Sequence, residues 1–255
     1  NLLKYKDEQT ALVFCGEDGH RHQISYAQLH TRVAQLTAGL KAYNIKPGDR
    51  IAGFMPNVID AVAAMLATAS LGAVWSSCSP DFGINGVLDR FGQIKPRILF
   101  TTDGYLYNGK RLNSLDRVAS IAKQLDSIEA IVVCDHIGAK ADLSALNVIV
   151  PNKAMHWDDF VDASATEIDF VDCNFSDPLY IMYSSGTTGV PKCIVHSVGG
   201  TLLQHNKEHL LHTNVSRDDV LFYYTTCGWM MWNWLVSGLA LGCSVVLYDG
   251  SPFKT

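Results

Sequence analysis

Residues 220–248 read VLFYYTTCGWMMWNWLVSGLALGCSVVLY, and no charged side chain lies between Asp219 and Asp249. Two parses compete for this run. A membrane span needs about 20 predominantly apolar residues in one continuous helix. Here Thr225, Thr226 and Gly228 break the run, and Gly242 and Ser244 break it again. Its two ends, 220–224 and 244–248, are rich in β-branched and aromatic residues, which suit strands. The segment therefore parses as strand, helix and buried strand, one unit of an α/β layer rather than a span.

The same alternation continues outward along the chain. Tyr26, Leu29, Val33, Leu36, Leu40 and Tyr43 recur at steps of 3, 4, 3, 4 and 3, one face of an amphipathic helix, with Ser25 as its N-cap. Pro47-Gly48-Asp49 signals a turn before a short strand at 50–55. Residues 58–71 are Ala-rich and nearly uncharged, which predicts a helix buried on most sides. A strand at 73–77, a helix at 84–94, a strand at 97–102, a helix at 115–125 and a strand at 130–134 follow. The stretch 135–175 is more polar and irregular, with an edge strand expected at 148–150; any boundary between subdomains falls there. Beyond it come a strand at 179–183, a loop at 184–192, a short strand at 194–196 and a helix at 201–212. Buried strands alternating with helices predict an α/β fold of layered, parallel sheets.

Composition narrows the function. The chain has 255 residues, 48% hydrophobic and 18% charged, enough apolar material for a sizeable core. Its 20 Lys+Arg against 25 Asp+Glu give a net charge of -5. Nucleic-acid binders carry a basic stripe that neutralises phosphates, so that class is disfavoured, although single anion pockets remain open. Cys15, Cys78, Cys134, Cys173, Cys193, Cys227 and Cys243 are scattered with no C-x-x-C pair, which points to reduced, mostly buried thiols. The chain begins Asn1-Leu2-Leu3-Lys4 and shows no targeting segment, so the cytosol is the default expectation.

The chemistry concentrates in Tyr183-Ser184-Ser185-Gly186-Thr187-Thr188-Gly189-Val190-Pro191-Lys192. Glycines let the backbone approach an anion, hydroxyls and successive N–H groups donate to phosphate oxygens, and Lys192 adds a point charge. The loop is neither a Walker A sequence, since Cys193 follows the lysine, nor G-x-G-x-x-G. Composition alone leaves open a flexible Ser/Thr/Gly hairpin.

The order and spacing of Ser184–Lys192 resemble the phosphate loop of the adenylate-forming superfamily: acyl-CoA synthetases, firefly luciferase and peptide-synthetase adenylation domains. Lys46-Pro47-Gly48-Asp49-Arg50 with Met55-Pro56-Asn57 is similar to the superfamily's early helix, turn and strand. The segments 75–83, 86–91, 192–197, 207–212 and 228–234 more closely resemble the branch that activates acetoacetate. The resemblance covers essentially all 255 residues and implies that 1–255 form part of the large N-terminal AMP-binding domain. The reaction it implies uses ATP, Mg²⁺ and coenzyme A. A carboxylate attacks the α-phosphate of ATP, diphosphate leaves, and the CoA thiol then displaces AMP. Ser184, Ser185, Gly186, Thr187, Thr188, Gly189 and Lys192 would hold the phosphates, with Lys192, Thr187 and Thr188 closest to the chemistry. Trp229, Met230, Met231 and Trp232 would line the acyl pocket, their bulk excluding long chains. His196-Ser197-Val198-Gly199-Gly200 would lie close to the nucleotide or the pantetheine path, and Lys110 and Arg111 near the CoA phosphates. The superfamily's adenine loop, ribose aspartate and C-terminal lid with its lysine are not found within the 255 residues, so these residues alone are expected to make no acyl-CoA.

Other readings remain. Acetyl- or propionyl-CoA synthesis would need only a different acyl pocket. His205-Asn206-Lys207-Glu208-His209 fits H-x-x-E-H, a zinc-protease pattern with His205 and His209 one helical turn apart. A nucleotide-binding or interaction module without catalysis is the non-enzyme alternative. Apart from that zinc pattern, the residues suggest no metal site of their own.

Overall fold

The structure, a computed structural model, describes residues 1–184 and 189–253. The chain opens with β1 (Thr10–Gly16) and β2 (Arg21–Ser25), then α1 (Tyr26–Ala42), β3 (Arg50–Phe54), α2 (Ile59–Ser70) and β4 (Val74–Cys78). Next come α3 (Ile84–Ile94), β5 (Ile98–Thr102), the hairpin β6 (Gly104–Tyr107) and β7 (Lys110–Asn113), α4 (Leu115–Ala122) and β8 (Ala130–Cys134). Then follow α5 (Ser144–Ile149), β9 (Ala154–His156), α6 (Trp157–Phe160), β10 (Pro178–Tyr183), β11 (Cys193–Ser197) and α7 (Val198–Lys207). After a π-helical turn at Glu208–His212 come β12 (Val220–Phe222), α8 (Met230–Ser237), a 3₁₀ turn at Gly238–Leu241 and β13 (Ser244–Asp249).

Seven strands form one sheet in the order β11-β10-β4-β3-β5-β8-β9, parallel throughout except for the antiparallel pair β10–β11 at its edge. Four strands form a second sheet, β12-β13-β1-β2. Strands β4, β5 and β8 are buried along their whole length because helices cover both faces. Alternate residues serve two cores. Ile51, Trp75, Phe100 and Val132 face α1 and α2, which lie between the two sheets; Ala52, Leu99, Ile131 and Val133 face α3, α4 and α5. Gly53 is part of this packing, since a Cβ there would meet the Trp75 ring at 2.6 Å.

Helix α1 starts on a capping box: Ser25 Oγ accepts from the Gln28 N–H at 3.2 Å, and Gln28 Oε1 accepts from the Ser25 N–H at 2.8 Å. Tyr26, Leu29, Val33, Leu36 and Leu40 are buried, and Tyr26 reaches across to donate to the Cys243 carbonyl at 2.7 Å. The run at 220–248 resolves into a parallel β12–α8–β13 crossover whose helix has 8 residues. Among the described residues, no helix is long and apolar enough to cross a membrane.

Two expectations are corrected. Residues 148–150 are not a strand: Leu143, Leu146 and Val150 are buried at helical spacing, while Val148 is 80% exposed at the end of α5. A short apolar run does not distinguish the two periods. The edge strand is β9, paired with β8. The helix expected at 201–212 begins earlier, at Val198, because Ser197 Oγ accepts from the Gly200 N–H at 3.3 Å, and it ends in the π turn. Propensity alone argues against helix at Gly199-Gly200; the cap outweighs it.

Candidate functional site

Strands β10 and β11 pair through Tyr183 opposite Cys193, so the loop 184–192 leaves from the edge of the large sheet. Its base is closed twice. The Ser184 N–H donates to the Lys192 carbonyl at 3.0 Å, and the Lys192 N–H donates to Ser184 Oγ at 3.1 Å. Gly189 has φ +105°, a conformation that L side chains rarely adopt. Lys192 is exposed. The expected phosphate donors Ser185, Gly186, Thr187 and Thr188 lie outside the described residues.

Helix α3 braces this loop. Gln93 Nε2 donates to the Pro191 carbonyl at 2.8 Å, and the Arg90 guanidinium lies over the Tyr183 ring at 5.6 Å and the Phe82 ring at 4.8 Å. Strand β4 links the loop to the second motif. Ser76 Oγ donates to the Ile181 carbonyl at 2.9 Å and lies 2.9 Å from the Tyr183 hydroxyl, whose pKa burial pushes up. The next residue, Ser77, donates to the Cys227 carbonyl at 2.6 Å, just before Gly228–Trp234.

A cavity of about 600 Å³ opens between β11, α7 and α8. Its walls are Val195, His196 and Ser197 of β11, Gly200, Thr201, Gln204 and His205 of α7, Glu208 of the π turn, and Met230, Met231 and Trp234 of α8. Of the four acyl-pocket candidates, Met230 and Met231 line it. Trp229 is 59% exposed and does not line it, and Trp232 is wholly buried with its Nε1–H donating to Asn57 Oδ1 at 2.8 Å. Trp234 takes the place expected of Trp232.

His196 and His205 line this space, and His209 is buried against Trp234. His196 stacks on Tyr180, with ring centroids 5.5 Å apart. His209 packs on Trp234 at 4.4 Å, its Nε2 lying 3.0 Å from both the Trp234 carbonyl and Ser237 Oγ. His205 is 6% exposed and borders this cavity as well as a second one, of about 360 Å³, behind α7. Burial lowers all three pKa values; that of His205 falls to about 4, with His209 and His196 adding to the effect. All three rings are therefore neutral at pH 7.

The H-x-x-E-H residues are used otherwise. His209 is turned to α8, and Glu208 accepts from Lys207 Nζ at 3.0 Å and Gln204 Nε2 at 2.9 Å. Among the described residues, no group of three or more His, Cys, Asp or Glu side chains converges as a metal site. Lys110 and Arg111 lie on the β6–β7 hairpin and do not line the cavity beside the loop. Arg111 donates to the Ile137 carbonyl at 2.6 Å and to Asp18 at 3.3 Å, bordering a separate hollow of about 250 Å³. The Asn108-Gly109 turn between those strands, with φ 50° and 75°, is a type I′ hairpin signal legible in the sequence but not used above.

This architecture and loop coincide with a known group: the AMP-binding enzyme family matches residues 2–255, and the chain belongs to it. Within that family it is 48% identical over 258 residues to the acetoacetyl-CoA synthetase of Gallus gallus and 51% identical over 253 residues to the acetoacetyl-coenzyme A synthetase of Rhizobium meliloti (strain 1021). Each alignment covers 99% of this chain and 38% of the relative. The solved acetoacetyl-CoA synthetase from Streptomyces lividans superposes with a TM-score of 0.91 at 42% identity, over 98% of this chain and 38% of that one. The chain thus spans about 38% of the length of the relatives it matches.

Proposed function

We propose that these residues form the phosphate-holding and acyl-facing part of an AMP-forming acetoacetate–CoA ligase. The observation that carries the reading is the closed base of the loop 184–192, from which β11 runs on into the wall of a cavity faced by Met230, Met231 and Trp234. In this reading Ser184, Ser185, Gly186, Thr187, Thr188, Gly189 and Lys192 grip the β- and γ-phosphates of ATP. The acid's carboxylate attacks the α-phosphorus, the bond to the β-phosphate oxygen breaks, and diphosphate departs with the charge that the hydroxyls, amides and Lys192 ammonium stabilise. The CoA thiol then attacks the acyl carbonyl and AMP leaves. The exposed Lys110 and the Asp18-bound Arg111 remain the candidates for contact with CoA phosphates.

Magnesium suits this reading as the counter-ion that ATP brings with it, neutralising phosphate charge as diphosphate forms. No described carboxylate of the chain is assigned to hold it. A rigid base and a φ > 0 glycine fit a loop that must present N–H groups to an anion.

The test is acid-dependent exchange of labelled diphosphate into ATP, in the enzyme at the length of its relatives, comparing acetoacetate with acetate and butyrate. Lys192→Ala should lower acetoacetate-driven exchange by roughly 10²–10³-fold, the loss typical of one transition-state donor. Its stability should stay within about 0.5 kcal/mol because the side chain is exposed. Unchanged exchange in Lys192→Ala would remove the loop from the reaction. Faster exchange with acetate or butyrate would move the assignment to another short acid.

A further inference from the structure

The cavity poses a problem that its apolar walls do not solve. Met230, Met231 and Trp234 offer grease and space, and a pocket of this kind separates acids differing by a methylene by only ~1–3 kcal/mol. Acetoacetate differs from butyrate by one ketone oxygen at the same chain length, so shape hardly separates them. Discrimination between the two needs a hydrogen-bond donor inside the cavity.

Some polar groups on the wall are already engaged: Ser197 caps α7, and Gln204 and Glu208 bond to each other. His196 is stacked on Tyr180. Thr201 Oγ1 is buried without a hydrogen-bond partner among the described residues, but it has the equally unpartnered Tyr180 hydroxyl beside it. His205 has no such neighbour among the described residues. It is more than nine-tenths buried, and its Nδ1 is sealed from solvent with no hydrogen-bond partner among the described residues. A buried polar atom left unpaired is costly, and a ligand that pairs with the ring recovers that cost. A neutral imidazole also carries one N–H donor and one acceptor without burying a charge.

From this geometry we infer that His205 is the specificity-determining residue of the acyl cavity, donating a hydrogen bond to the 3-oxo group of a 3-oxo acid and so favouring it over the saturated acid of equal length. The inference rests on the ligase reading above and adds to it a named group for the substrate's second carbonyl. No proton is transferred: the imidazole acts on recognition, and the adenylation step is unchanged. Loss of the ring should therefore act more on one acid than on the other.

The experiment compares acetoacetate and butyrate as drivers of ATP–diphosphate exchange in the wild-type full-length enzyme, in His205→Leu and in His205→Gln. In His205→Leu the ratio of kcat/KM for acetoacetate over butyrate should fall on the order of tenfold, the value of one buried hydrogen bond, with acetoacetate losing more than butyrate. His205→Gln keeps a donor in the cavity and should retain most of the preference; it also serves if the leucine variant does not fold. Equal losses for both acids in either variant, or an unaltered ratio in His205→Leu, would overturn the inference and leave His205 a packing residue. Wild-type enzyme inert with both acids would overturn the ligase reading itself, and the inference with it.

Discussion

The middle of the large sheet and its β10–β11 edge are built from opposite material. Strands β5 and β8 are buried end to end, and Phe100 sits among the rings of Trp75, Trp157 and Phe160 at centroid distances of 6.5, 6.0 and 5.6 Å. At the edge, Ile194 and Val195 of β11 are 44% and 58% exposed, and the loop is tied down by hydrogen bonds at its base rather than by packing. The difference separates two duties. The centre supplies stability through apolar burial, and the edge carries the loop that the proposed function assigns to the ligand. Substitutions in the two regions should accordingly be read out by different measurements.

The largest effect on stability belongs to the centre. Phe100→Ala removes a fully buried ring and leaves a cavity that three aromatic neighbours cannot all close, at a cost of ~3–5 kcal/mol. The urea midpoint should fall sharply, whereas Lys192→Ala should hardly move it. A loss below about 1 kcal/mol for Phe100→Ala would erase the distinction between the regions.

Acid should act on the side of the cavity where α7 meets α8. The ordinary histidine value is near 6.5, and that of His205 is lowered to about 4 by burial. Between these values the unfolded chain binds a proton that the folded chain refuses, so stability is complete above about pH 6.5 and declines as pH falls toward 4. From pH 6.5 to 5.5 this histidine alone should cost ~1 kcal/mol. His196 and His209 are shifted in the same direction and add to the decline. Urea titrations at pH 7.5, 6.5 and 5.5 check this, and His205→Leu should flatten the curve. A midpoint that rises on acidification would contradict the burial argument.

The same contrast governs what the sequence discloses. The central strands were readable because burial on both faces forces unbroken apolar runs, and α1 because its steps of 3 and 4 coincide with a Ser cap. Around α8 the sequence carries a further signal. Trp232, Leu235, Val236 and Leu239 recur at 3, 4 and 7, the spacing of a core stripe, which leaves Met230, Met231 and Trp234 to the cavity. Helical phase would therefore have replaced Trp232 with Trp234. In the sequence His205 reads as one half of a zinc pair; the tertiary placement of α7 shows it buried, with its Nδ1 unpartnered among the described residues. The brace from Gln93 to Pro191 joins residues 98 positions apart, which no local pattern encodes.

That brace yields the smallest and sharpest contrast. Gln93 Nε2 also donates to the Asp89 carbonyl at 2.6 Å, one turn back on α3, so the amide is fixed on its own helix before it reaches the loop. Cys193 Sγ donates to its Oε1 at 3.6 Å from the far side. Gln93→Ala removes hydrogen bonds at an exposed position, where water replaces them and a substitution usually shifts stability by no more than about 0.5 kcal/mol. Without the brace, however, the Ser184–Lys192 pair is what holds the Pro191 end of the loop among the described residues, and ATP must supply more of its own binding energy there. The KM for ATP in the exchange reaction should therefore rise by roughly two- to tenfold, with a smaller change in kcat, the pattern of weakened ground-state binding. An unchanged KM in a variant of normal stability would mean that the closed base alone holds the edge loop, and that α3 belongs with the core rather than with the site.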